Sequence, residues 1–150
     1  MANPKRHFGL RVGVLAAVVG VIVLGATQAW ASSAPVVIPY EKTCDEIVGH
    51  CTGTAGTGGT LEMQVTSFRA TGKGAQLTLT EEVTFGSISF TAEMKAHVSP
   101  AGFIVLNGMV TEGSFVGAQV HQRSNFVGLA GGVPTMTMWI GELQIMPASG

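Results

Sequence analysis

From Leu61 onward the chain alternates between apolar and polar positions. Leu61, Met63 and Val65 are spaced by Glu62, Gln64 and Thr66. Leu77, Leu79, Val83 and Phe85 share one parity. Ile88, Phe90, Ala92, Met94, Ala96 and Val98 form another set, with Ser89, Thr91, Glu93, Lys95 and His97 between them. A period of two marks a half-buried β-strand, and no stretch beyond residue 31 carries a helical period.

The turns predict the pairing. Gly86-Ser87 suits a two-residue hairpin, which sets Phe85 opposite Ile88, Val83 opposite Phe90, Glu81 opposite Ala92 and Leu79 opposite Met94. Gly113-Ser114 repeats the device and sets Met109 opposite Ala118, Asn107 opposite Val120 and Val105 opposite Gln122. Ser99-Pro100-Ala101-Gly102 joins the two hairpins. A one-residue change at that turn would instead bring Ile104, Leu106 and Val110 inward. A last strand, 135–146, changes parity at Gly141, where a bulge is expected. Six strands in order predict an all-β, up-and-down antiparallel meander. Its apolar content favours closure into a small barrel, which removes the edges; a two-sheet sandwich is the alternative.

The N-terminal third reads differently. Lys5, Arg6, His7 and Arg11 precede an apolar run from Val12 to Ala26, which ends in Ala29-Trp30-Ala31. That is the layout of a helical signal peptide spanning 1–31, cut after Ala31. Export is therefore expected; an uncut leader anchoring the chain at the membrane is the alternative. Residues 32–59 read as an extended segment with a cysteine loop and a Gly/Thr linker, and 60–150 as the barrel domain. The linker, Thr52 to Thr60, lacks the lysine and flanking elements of a phosphate loop.

Charge narrows the function classes. Residues 32–150 keep five basic side chains (Lys42, Arg69, Lys73, Lys95, Arg123) against nine acidic ones, so no basic patch invites nucleic acid. Cys44 and Cys51 are the only cysteines, and in an exported chain the pair reads as a disulfide. With His50 they would still be one ligand short of a closed zinc site. Met136 and Met138 could offer soft sulfur to copper, but methionine is more often a core gap-filler. No metal or cofactor is expected.

The hairpin registers gather a polar set on the apolar face: Glu81, Asn107 and Gln122, beside the small Ala92 and Ala118. The plainer reading of Glu81 places it at an open rim, or makes Glu81-Glu82 a bulge pointing outward. The sharper reading puts the three at a cavity wall as a ligand site, with Glu81 raised in pKa. Gln119, His121 and Arg123 form an outer polar stripe, as do Glu93, Lys95 and His97. A single aspartate beyond the leader, Asp45, makes a Ser-His-Asp triad hard to assemble.

Val110-Thr111-Glu112-Gly113-Ser114-Phe115-Val116-Gly117-Ala118-Gln119-Val120 and Trp139-Ile140-Gly141-Glu142-Leu143 resemble small secreted actinobacterial β-proteins of unknown function. The turn is also similar to one in allene-oxide-cyclase and dirigent-like barrels. The resemblance implies a secreted, eight-strand-type barrel with a central cavity and transfers no catalytic residue. The expectation is a non-enzymatic binding module for a small apolar ligand or a surface partner. A cyclase- or isomerase-type enzyme using Glu81 as acid or base is the alternative.

Overall fold

A computed structural model describes residues 34–146. The expected signal peptide, 1–31, lies outside them. Eight antiparallel strands follow one another round a closed barrel. They are β1 (Val36–Asp45), β2 (His50–Ala55), β3 (Gly59–Thr71), β4 (Gly74–Phe85), β5 (Ile88–Val98), β6 (Phe103–Gly113), β7 (Gln119–Leu129) and β8 (Met136–Met146). A short 3-10 turn, Ala130–Gly132, joins the last two. The expected barrel therefore holds over the sandwich alternative.

The wall takes in more chain than the alternation after Leu61 indicates. The segment read as lead-in and linker supplies β1 and β2. Ile38, Tyr40, Lys42 and Cys44 all face inward and are buried. Pro39 is tolerated because its carbonyl turns towards Gly56, beyond the end of β2, so its missing N–H leaves no gap in the ladder. Cys44 and Cys51 lie opposite each other in the β1–β2 register and are joined as a disulfide. The bond sits in the barrel wall rather than in a loop ahead of it, and it removes both sulfurs as metal-binding thiolates. Such a bond fits an oxidising compartment.

The first hairpin has the expected register at every pair from Leu77–Ala96 to Phe85–Ile88. The second does not. Gly113 stays in the ladder with Phe90, and the Ser114 amide donates to the Ser89 carbonyl, so β5 holds β6 past the expected turn. The reversal falls instead at Phe115 and Gly117, both at positive φ. The register moves by one residue: Met109 faces Gln119, Asn107 faces His121 and Leu106 faces Gln122. Ile104, Leu106 and Val110 are the buried set on β6. In β8, Trp139, Leu143 and Ile145 are buried on one parity through Gly141, so the bulge expected there is absent. A register shift lies on β7 instead, between Phe126 and Gly128, opposite Trp139 and Met138.

Two predictions follow from this architecture. Gly86 and Gly113 both have positive φ, where a Cβ is penalised by about 1–2 kcal/mol. A Cβ on Gly86 meets open space, but one on Gly113 would lie 2.3 Å from the Ser89 carbonyl oxygen. Gly86→Val should cost about 1–2 kcal/mol in urea unfolding and Gly113→Val distinctly more; equal costs would contradict the β5–β6 ladder described above. The disulfide closes only a short loop, so Cys44→Ala with Cys51→Ala should lose about 2–4 kcal/mol and still fold. An unfolded double variant at room temperature would show that the bond holds more than its loop.

Candidate functional site: a polar layer inside the barrel

The strand parities bring five polar side chains into the interior. Tyr40 and Lys42 come from β1, Glu81 from β4, Gln122 and Ser124 from β7, and all five are buried. Leucine, methionine and valine surround them. Of the sequence-derived set, Glu81 and Gln122 meet as expected, and the outward reading of Glu81 is overturned: it is 0% exposed. Asn107 does not join them. The one-residue shift turns it outward, where the His121 Nδ1–H donates to its Oδ1 at 2.6 Å. Periodicity marked neither Tyr40 nor Lys42, although both share the parity of Ile38 and Cys44.

Three contacts organise the layer. The Tyr40 hydroxyl bonds to Ser124 Oγ. Lys42 Nζ sits 5.2 Å from the Tyr40 ring centroid and donates to Met63 Sδ at 3.7 Å. Gln122 Nε2 donates to Glu81 Oε2. Two buried acceptors then have no partner: Glu81 Oε1 and Gln122 Oε1. An ionised Glu81 accepts only, so it cannot serve the second of these. A protonated Glu81 can. An acid facing a primary amide pairs through N–H···O on one side and O–H···O on the other, so one proton serves both orphans.

Electrostatics point the same way. Burial pushes the Glu81 pKa up, against smaller opposing effects of the Lys42 charge and the Gln122 hydrogen bond. Burial likewise lowers Lys42 to about 8, with Glu81 opposing. The Tyr40 hydroxyl is pushed up, chiefly by burial. Each shift favours the neutral form, as expected in a medium that solvates charge poorly.

A cavity of about 80 Å³ adjoins this layer at the end where β1 meets β2. Its walls include Met63, Leu79, Leu106 and Trp139, with Lys42 among the lining residues and Asp45 and Glu46 at the mouth. Glu81 is not part of its lining. Trp139 Nε1 donates to Thr137 Oγ1 at 2.8 Å, and Thr137 Oγ1 donates to Glu46, which ties the mouth together. Larger hollows lie on the outer wall. One of about 560 Å³ runs over β5 to β7 beside Glu93, Lys95, Asn107 and Gln119. Met138 is exposed, while Trp139 next to it is buried.

Comparison with known protein families, curated proteins and solved structures finds no match to this chain.

The acid–amide pair has a pH signature. A carboxyl whose folded pKa is raised contributes its full stability below the unfolded value and loses it as pH rises through the folded value. The barrel should therefore lose stability as pH climbs above the ordinary carboxylate range and through the raised folded pKa of Glu81. Glu81→Gln should flatten that limb in urea unfolding. An unchanged pH profile in the variant would mean that Glu81 is ionised throughout.

Proposed function

We propose that this chain is an exported, non-enzymatic binding module that engages a partner protein through one end of the barrel. The observation that carries the reading is the placement of exposed apolar side chains. Of the thirteen large hydrophobic residues that are exposed among the described residues, ten belong to the end that holds the disulfide or the strand stretches leading into it. Ile47 and Val48 form the β1–β2 loop, and Ile47 is 76% exposed. Phe126, Val127 and Leu129 close β7, and Val133 follows the 3-10 turn. Phe126 also meets Trp139 edge-on at 5.5 Å, so the rim is continuous with the core. A patch of this kind in a water-facing protein marks an interaction surface.

The sides of the barrel support a different environment. Glu62, Gln64, Glu82, Glu93 and Lys95 are exposed along β3 to β5, whereas a bilayer-spanning barrel turns an apolar band outward. At that end Asp45 and Glu46 are set against Arg69 and Lys73, a mixed charge without the basic cluster that an anionic lipid surface selects. Residue 36, where β1 begins, lies at the opposite end from the rim. A leader retained as an anchor would thus hold the rim away from the membrane. The disulfide and the charged, apolar and small-residue order of 1–31 support export.

The other readings draw less support. A preformed site for a drug-sized apolar ligand needs about 300 Å³ or more, against about 80 Å³ here. Glu81 as an acid or base would need a route to substrate, and its burial among core side chains gives none.

A photo-crosslinking residue in place of Ile47 or Val127, in the full chain exported from its own cells, should capture one other protein. The same residue in place of Thr80, on the polar side, should not. Adducts with lipid, with second copies of the chain, or with nothing at the rim would overturn the reading.

A further inference from the structure

Lys42 has a buried ammonium or amine with three possible donors and one weak acceptor, the Met63 thioether. It forms no ion pair within 4.0 Å among the described residues, whose salt bridge is His50–Glu62 on the outer face. The same side chain lines a small cavity whose deeper walls are apolar, among them Leu79, Ala96, Leu106 and Trp139, with Asp45 and Glu46 at its mouth. Tyr40 and Glu81 are the titratable groups that bear on it from inside the barrel, and burial outweighs the Glu81 charge; a buried lysine beside a small cavity is the arrangement that makes an amine nucleophilic at neutral pH.

The ligand class follows from the rest of the cavity. Asp45 and Glu46 at the mouth repel anions, so a carboxylate is disfavoured. About 80 Å³ admits only a few heavy atoms. A neutral, short molecule that reacts with an amine fits all three conditions. We propose that Lys42 captures short aliphatic aldehydes or ketones as an imine. The Nζ lone pair attacks the carbonyl carbon and forms the C–N bond. The carbonyl oxygen then leaves as water with the two amine protons, and the C=N bond forms. Amine plus carbonyl gives imine plus water, and no oxidant or reductant enters. This inference is independent of the apolar rim.

With Lys42 near pKa 8 and an exposed lysine near 10.4, the free-amine fraction at pH 7 differs by roughly 200-fold. Lys73 and Lys95 are exposed and serve as internal controls. The intact exported protein is treated at pH 7 with limiting butanal and cyanoborohydride, which reduces the imine to a stable secondary amine. Peptide-resolved mass spectrometry then follows each lysine. Lys42 should be alkylated at least ~10-fold faster than Lys73 and Lys95, and urea should abolish the difference. A long or aromatic aldehyde should lose the preference for Lys42. An unmodified Lys42 beside alkylated Lys73 and Lys95, or equal rates at all three, would overturn the proposal. The wild-type protein decides the question, so the outcome does not hang on whether Lys42→Met folds.

Discussion

The ladder between β1 and β8 runs from Val36–Ile145 to Asp45–Met136 and closes the ring. Closure fixes the parity of every strand at once, because a slip of one residue would turn a whole face inside out. It also decides what must live without water. Tyr40, Lys42, Glu81, Gln122 and Ser124 occupy inward positions and cannot reach solvent. An isolated buried charge is costly, so such groups pair or neutralise. The Glu81–Gln122 contact is the answer at one point, and the Tyr40–Ser124 contact at another. Lys42 is the member with least compensation, which is why the reactive chemistry falls to it.

Alternation alone carried β4 and β5. Their turn is two residues, every inward residue from Leu77 to Phe85 finds an apolar or small partner, and nothing competes with that register. The β6–β7 hairpin misled because Gly113-Ser114 imitates the same turn. Its fate depended on β5, a strand on the other side, whose Ser89 carbonyl holds the Ser114 amide. Local turn chemistry cannot register a bond to a third strand. Asn107 moved outside for that reason, while Gln122 stayed inside.

The first two strands were hidden by composition rather than by missing signal. Ile38, Tyr40, Lys42 and Cys44 alternate cleanly with Pro39, Glu41 and Thr43. A lysine at an inward position and a proline in the strand both argue against a wall strand. The proline escapes because its carbonyl faces the end of β2. The lysine escapes because the interior is polar enough at that level to receive it. Glu81 and Gln122 are legible as inward candidates from the hairpin registers, whereas Tyr40 and Lys42 are not, because β1 lies ahead of the alternation that begins at Leu61.

The interior pair is the centre of this account, and infrared spectroscopy reads it most directly. A neutral Glu81 gives a protonated-carboxyl carbonyl band, well separated from the bands of ionised carboxylates. One such band is expected in the native barrel at neutral pH, absent in Glu81→Gln and lost on unfolding. A native spectrum with carboxylate bands alone would place a charge on Glu81 and contradict the neutral acid–amide pair.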